Sequence, residues 1–482
     1  MTTAPSSSLP RARTKIVATV GPACRQPAQL AQLILSGVSV FRLNTAHSNR
    51  EQLAEIVRDI RQASRTVQRE VGILLDLAGP KIRLGELAED PCRCEQGAEF
   101  TIVRGEKPRQ AKELTSNYER LVDELSVGDV VMLADGTVGM QVVGKEADSV
   151  RCRVTNAGTI RSRQGINLPG VALSVPAMTE EDRQNALWAT EHEVDFVSLS
   201  FVRSPVEILQ LKDMLLSRSC TALVIAKIEK REALERLDEI VAASDGVMVA
   251  RGDLGVEIDV AETPVAQKRI IASCQRFVKP VIVATQMLDS MHRSPRPTRA
   301  EVNDVANAIL DGADACMLSG ETAIGEYPRE AVEMMNRIMA ATERILPEHS
   351  DVAPPSTPLS GVHPITAAVV SGAAQIAEHL AAKMLVVATR SGGTARVLAK
   401  HRSLIPMVGV SDCEATLRHM CLFWGFIPLA GAPLNHGPQL RSFVADWGIE
   451  AGTLAAGDRI VYITGSEVVP TAHNLVVVHE VE

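Results

Sequence analysis

Lys227 and Glu229 follow the apolar run Ala222-Leu-Val-Ile-Ala226, Asp253 follows Gly246-Val-Met-Val249 through Ala250-Arg251-Gly252, and Thr285 with Gln286 follows Pro280-Val-Ile-Val-Ala284. Short Val-rich runs of this kind read as buried strands. An ammonium, two carboxylates and a hydroxyl at successive strand ends are the parts for holding one phosphate and one divalent cation. Glu229 and Asp253 are hard oxygen ligands of the kind magnesium takes, with substrate oxygens completing the shell; manganese suits the same donors. Lys227, flanked by Ala226 and Ile228, needs a counter-charge, which a phosphate or the carboxylates would supply. Arg42 adds a second cation for phosphate. Gly252 and Gly255 let the backbone approach an anion, and a helical turn after them would present N–H groups to a carboxylate. Cations and a metal set around a moving phosphoryl group describe phosphoryl transfer, in which the protein does little covalent work.

These groups require a scaffold that brings many strand ends to one face. Strand patterns fall at 14–21, 38–44, 71–77, 195–201, 222–229, 246–252, 280–286 and 315–320, with helical periods between them. Several helices open with capping signals, among them Thr179 with Asp182, Ser204-Pro205-Val206-Glu207 and Thr298 with Glu301. Alternating strands and helices imply a parallel sheet with right-handed crossovers, and eight such units make a (β/α)8 TIM barrel. The expected catalytic barrel spans 14–84 and 171–345. Between its halves, 85–170 shows short alternating segments separated by Gly and Asp, the pattern of an inserted small β-barrel lid domain. Residues 346–482 begin with a Pro- and Ser-rich linker and continue as a C-terminal α/β domain, and 1–13 reads as a disordered tail. In such a barrel ligands sit at the C-terminal strand ends. Arg42, Asn44, Asp76, Ser200, Lys227, Glu229, Asp253, Thr285 and Glu321 stand there.

The bulk composition narrows the class. The 482 residues carry a formal charge of -8, which disfavours a general nucleic-acid surface but leaves room for a local basic pocket. No run approaches the length of a membrane span, and the first residues lack a secretory apolar segment. The nine cysteines are scattered and odd in number, and Cys92-Arg-Cys94 has no second pair at zinc spacing. A reducing, cytoplasmic setting fits best.

Longer motifs carry a resemblance. Thr14-Lys-Ile-Val17, Phe41-Arg-Leu-Asn44, Ala226-Lys-Ile-Glu229, Met248-Val-Ala-Arg-Gly-Asp-Leu-Gly255, Ala284-Thr-Gln-Met-Leu-Asp-Ser-Met291, Pro295-Arg-Pro-Thr-Arg-Ala-Glu301 and Met317-Leu-Ser-Gly-Glu-Thr322 resemble those of pyruvate kinases. The resemblance implies transfer of the phosphoryl group of phosphoenolpyruvate to ADP, giving pyruvate and ATP, within a homotetramer. It implies that Lys227 stabilises the transferring group, Arg42 grips the substrate phosphate, and Glu229 and Asp253 hold magnesium. Gly252, Asp253 and Thr285 would hold the substrate carboxylate, with Thr285 near the enolate carbon. Asn44, His47 and Arg83 would face the nucleotide, and Asp135 of the lid would face the site, although its neighbour is Ala134 where the family has a second aspartate.

Two departures matter. Potassium-dependent members read Asn-Phe-Ser-His and Asp-Thr-Lys-Gly-Pro-Glu where this chain reads Asn44-Thr-Ala46-His47 and Asp76-Leu77-Ala-Gly-Pro-Lys81. Ala46 and Leu77 cannot coordinate a hard cation, so Lys81 is expected to stand in for the monovalent ion and potassium is not expected to be required. In the C-terminal domain, Thr389, Ser391, Gly392, Gly393 and Thr394 resemble an effector phosphate loop. The partner loop, Gly465-Ser-Glu467-Val-Val-Pro470, lacks the family's tryptophan and arginine. That disfavours a sugar bisphosphate and leaves a sugar monophosphate, AMP or no allosteric effector open. The residues alone also admit a magnesium-dependent barrel lyase or aldolase on an enolpyruvate-type substrate, or a silent regulatory paralogue. ADP dependence separates the first of these from a kinase.

Overall fold

A computed structural model describes residues 12–105, 107–171, 173–346, 362–434, 436–465 and 473–482. The apolar runs close on one another as eight parallel strands. Three precede the insert, β1 (Lys15–Thr19), β2 (Val38–Asn44) and β3 (Gly72–Asp76). The insert contributes β4 (Cys92–Cys94), β5 (Glu99–Val103), β6 (Glu113–Leu114), β7 (Val130–Leu133), β8 (Val138–Lys145), β9 (Ser149–Asn156), β10 (Gly158–Ile160) and β11 (Ile166–Asn167). The barrel resumes with β12 (Phe196–Leu199), β13 (Leu223–Ile228), β14 (Gly246–Ala250), β15 (Val281–Ala284) and β16 (Ala315–Leu318). Its closed order is β1-β16-β15-β14-β13-β12-β3-β2.

Inward-facing Val17, Val40, Leu74, Phe196, Ile225, Met248, Ile282, Ala315 and Met317 fill the barrel, so it is a packed core whose chemistry is confined to its rim. A second cluster packs the outer strand faces against the helices. In the insert β11-β7-β8-β9-β5-β6 form one sheet and β10-β4 a two-stranded ribbon around a shared aliphatic core. The hairpin β7–β8 turns through Ala134, Asp135 and Gly136, all at positive φ.

The C-terminal domain adds a five-stranded sheet, with β17 (Met384–Ala388), β18 (Met407–Val410), β19 (Phe426–Leu429), β20 (Arg459–Gly465) and β21 (His473–Glu480) in the order β19-β18-β17-β20-β21. It docks on the N-terminal ends of the barrel strands, opposite the rim. Trp424 donates to Thr14 Oγ1 at 3.2 Å, Lys15 to the Phe426 carbonyl at 2.6 Å, Lys400 to Asp314 at 2.6 Å and Arg418 to Asp195 at 2.6 Å.

Local signals formed as expected. The capping boxes at Thr179, Ser204 and Thr298 are present. The expected strand 246–252 ends at Ala250, and Arg251–Glu257 is helical. The helical stretch between β13 and β14 is two helices, Arg231–Glu235 and Leu237–Ala243, broken at Arg236. β19 and the helix Gly437–Glu450 are elements that periodicity did not single out. Of the expected tail, residues 1–11 lie outside the described residues. Ala12 and Arg13 are held, their N–H groups donating to Asn336 at 3.0 Å and to the Glu343 carboxylate at 2.8 Å. The linker at 347–361 and the 466–472 stretch containing Glu467 also lie outside the described residues.

Candidate active site

Asp76 is the centre of the rim. It ends β3 with 2% exposure, and a buried carboxylate needs partners. The Arg42 guanidinium from β2 meets Oδ2 twice, at 2.8 and 2.5 Å. Oδ1 accepts from Ser198 at 2.6 Å and lies 3.3 Å from Lys227 Nζ. Parallel register makes this possible, since Asn44 pairs with Asp76 and Ser198 pairs with Asp76 across adjacent strands. Burial alone would push the Asp76 carboxyl up, but Lys227 and Arg42 outweigh it and hold it at about 2.

Lys227 Nζ donates to Ser200 Oγ at 2.7 Å and lies 2.9 Å from Glu229 Oε1. Burial works against its charge, yet Asp76 and Glu229 together raise its pKa above that of an ordinary lysine. The ammonium is therefore fixed, charged and aimed by three side chains.

Glu229 shows the opposite balance. Burial pushes its carboxyl up, Lys227 opposes the shift, and neighbouring Asp253 adds to it. Oε2 accepts from the Phe201 N–H at 2.7 Å, while Oε1 is buried and accepts no aligned hydrogen bond. A buried carboxylate whose charge is opposed both by burial and by a second carboxylate fits a divalent cation, whose charge would stabilise both anions. Among the described residues no three His, Cys, Asp or Glu gather as a closed metal cage.

Phe201 also places the next segment. Its ring lies so close to Gly79 that a Cβ there would sit 2.7 Å from Cδ2. Gly79, at φ 69°, is thus required for Ala78-Gly79-Pro80-Lys81 to pass over the rim. Lys81 lines the mouth together with Ala46 and Leu77. Among the described residues it makes no ion pair, and Asp76 is already taken by Arg42, Ser198 and Lys227.

One cavity of about 100 Å³ brings together Arg42, Asn44, Lys81, Lys227, Glu229, Asp253 and Thr285, joined by Asp76, Ser200 and Ser319. The Gly252 N–H, expected to meet the substrate carboxylate, donates to Thr285 Oγ1 at 2.9 Å, and Gly252 is not among the residues lining this cavity. Glu321 turns away from the mouth. Its oxygens accept from Leu288 N at 3.1 Å and Ser319 N at 2.7 Å, holding two loops. Of the expected nucleotide groups, Asn44 is at the mouth. His47 does not line it, and its N–H donates to the Asn44 carbonyl at 3.3 Å. Arg83 donates to the Arg163 carbonyl at 3.1 Å and lines a separate cleft of about 750 Å³ on the lid. Asp135 stands across a narrow gap from the barrel, sharing it with Lys81, Lys230 and Asp253.

The Thr389–Thr394 loop is in the C-terminal domain, with Gly392 at φ 76° preceding the helix Gly393–Lys400. Its hydroxyls serve the loop itself, Thr389 Oγ1 accepting from Gly392 N at 3.2 Å and Ser391 Oγ from Gly393 N at 3.5 Å. Sequence reasoning named Asp76 and Ser200 as strand-end residues but gave them no role. It missed Ser198 altogether, since a serine inside an apolar strand carries no motif.

The comparisons with known proteins agree over both large domains. A family model for the pyruvate kinase barrel domain matches residues 11–332, and one for the pyruvate kinase alpha/beta domain matches 367–479. A pyruvate kinase of Geobacillus stearothermophilus is 40% identical over 97% of this chain and 80% of its own length. Pyruvate kinase 2 of a Synechocystis strain is 43% identical over 96% of this chain and 78% of its own. Among solved structures, a pyruvate kinase from Cryptosporidium parvum superposes with a TM-score of 0.89 at 31% identity, covering 98% of this chain and 96% of that one.

Proposed function

The chain belongs to the pyruvate kinase family, the glycolytic phosphotransferases that make pyruvate and ATP from phosphoenolpyruvate and ADP, and from that premise we propose how its own residues divide the reaction. The match over both domains favours this reading over the lyase, and the activity assay below separates it from a silent paralogue.

The observation that carries the reading is the Lys227 ammonium, held at the mouth by Asp76, Ser200 and Glu229. The reaction breaks the bond from the enol oxygen to phosphorus and forms one to the terminal phosphate oxygen of ADP. The enolate then takes a proton at its methylene carbon. Lys227 and Arg42 face the transferring group and stabilise the charge spread over its oxygens. Both are fixed by Asp76 before substrate arrives, so little reorganisation is needed. Glu229 and Asp253 would hold magnesium, or manganese in its place. The metal would supply positive charge to the phosphoryl and substrate oxygens. Thr285 meets the substrate carboxylate and the enolate carbon. Asn44, His47 and Arg83 would serve ADP, with Arg83 and Asp135 brought in by the lid, whose closure would exclude water.

Potassium is not required in our reading, and Lys81 takes its place. Support comes from Lys81 lining the same cavity as Ala46 and Leu77, the two side chains that lack a ligand oxygen. We further propose a cytoplasmic homotetramer, in line with Val260, Val265 and Ile324, which are exposed on the barrel's outer surface. No described helix is long and apolar enough to cross a membrane. For the Thr389–Thr394 loop a sugar monophosphate, AMP or no effector at all stay open, and activation assays with a sugar monophosphate and with AMP distinguish them.

The deciding assay follows pyruvate from phosphoenolpyruvate and ADP with magnesium in potassium-free buffer, then with potassium added. Strong activity unchanged by potassium supports the whole reading. Activity only with potassium removes the Lys81 role, and activity in neither buffer from folded protein removes the site assignment.

A further inference from the structure

Thr285 and Gln286 are consecutive residues in the left-handed region, at φ 71° and 53°. For a β-branched residue this is a genuine outlier, and it persists only where neighbours impose it. The neighbour is Arg251. It is the first residue of the helix Arg251–Glu257, and it does not line the mouth. Its guanidinium runs behind Thr285. Nη2 donates to the Thr285 carbonyl at 2.7 Å and Nε to the Ala284 carbonyl at 3.2 Å. The outer end is fixed by Asp304 at 2.7 Å from Nη1, and Nη2 also lies 2.8 Å from Met287 Sδ. A planar fork suits this task, since it spans two carbonyls and a carboxylate with one rigid group.

The contact has a chemical consequence. Thr285 Oγ1 accepts from Gly252 N and donates to its own neighbour, the Ala284 carbonyl, at 2.6 Å. That carbonyl also accepts from Arg251 Nε, so it stays satisfied when the hydroxyl proton swings toward the mouth. We propose that Arg251 is a positioning residue that holds Thr285 in its strained conformation and frees its hydroxyl to meet the substrate, so that protonation of the enolate depends on Arg251 without contact between them. The inference rests on the role given to Thr285 above and names the residue that makes that role possible.

The test is a double-mutant cycle on the full-length enzyme with two readouts. One is kcat and KM for phosphoenolpyruvate. The other is deuterium entry into the methyl group of pyruvate in D2O, followed by NMR, which reads proton transfer apart from phosphoryl transfer. Thr285→Ala and Arg251→Met are each expected to slow methyl exchange by about tenfold to a hundredfold. The double variant is expected to be no slower than the worse single one, because both remove the same positioned hydroxyl. Losses that multiply in the double variant, or exchange at the native rate in Arg251→Met, would overturn the proposal. Native exchange in Thr285→Ala would instead overturn the reading of Thr285 itself. Should Arg251→Met fail to fold, Asp304→Asn and Arg251→Lys enter the same cycle. Each should give a partial loss that disappears in the Thr285→Ala background.

Discussion

Asp76 and Lys227 meet at 3.3 Å at the bottom of the mouth, and the same carboxylate holds Arg42 through two guanidinium nitrogens. One buried anion thus sets the spacing of the two cations proposed to face the phosphoryl group. Asp76→Asn keeps the shape but loses the charge. It is expected to lower kcat/KM for phosphoenolpyruvate by about a hundredfold, the scale of a misplaced catalytic group. Steady-state kinetics checks this, and a change of less than threefold would remove Asp76 from the machinery.

The same residue gives an acid limb to stability. Its carboxyl falls from 3.8 to about 2 on folding. A folded-state value below the unfolded one adds stability that is complete above the unfolded value and disappears as pH falls through the folded one. The window is therefore from pH ~4 to ~2, with about 2 kcal/mol involved. Urea unfolding of native and Asp76→Asn proteins at several pH values should show their difference shrinking by that amount across the window. A constant difference would mean that the ion pairs do not hold the carboxyl down.

Much of this site was legible because its parts sit at strand ends, and strand ends are announced by local signals. Gly252 and Gly255 end an apolar run, and Thr298 with Glu301 caps a helix within four residues of chain. What stayed hidden depends on register across the barrel. Ser198 and Asp76 meet only because β12 lies beside β3, and no local pattern pairs them. Arg251 read as the tail of a strand, yet the chain turns helical there and sends its side chain behind Thr285. In the C-terminal domain, β19 contains Pro428 and lies at the sheet edge, where the missing N–H is tolerated. A strand of that composition has no alternation to betray it.

Glu229 should report the metal directly. Its buried carboxylate beside Asp253 predicts that magnesium raises the melting temperature of the native protein, since binding only the folded state stabilises it. Glu229→Gln should lose that shift and, with it, about a thousandfold in kcat, the several kcal/mol a positioned metal contributes. Differential scanning calorimetry with and without magnesium checks the first claim. An unchanged magnesium response in Glu229→Gln would place the metal elsewhere.

Lys81 should be exchangeable for a potassium site. The cavity wall formed by Ala46, Leu77 and Lys81 differs from a potassium cage by two ligand oxygens and one ammonium. Lys81→Glu alone is expected to lose most activity in potassium-free buffer. The triple variant Ala46→Ser, Leu77→Thr, Lys81→Glu should recover activity only when potassium is added. Full activity of Lys81→Glu without potassium would sink the substitution argument.

The lid tip gives the last prediction. Gly136, at φ 84°, lies so close to the helix Arg251–Glu257 that an added Cβ would sit 3.3 Å from Val256 Cγ2. The hairpin therefore rests on the element that carries Asp253, with Asp135 beside it. A side chain at 136 meets both the left-handed backbone and Val256, so Gly136→Val should hold the lid off the barrel. Phosphoryl transfer needs water kept away from the phosphoryl group. Gly136→Val is thus expected to raise free phosphate released per ATP formed, and to raise KM for ADP more than KM for phosphoenolpyruvate. Parallel assays of phosphate and ATP from the same reaction decide it. A variant slower in turnover but unchanged in that ratio would show that the lid has no part in excluding water.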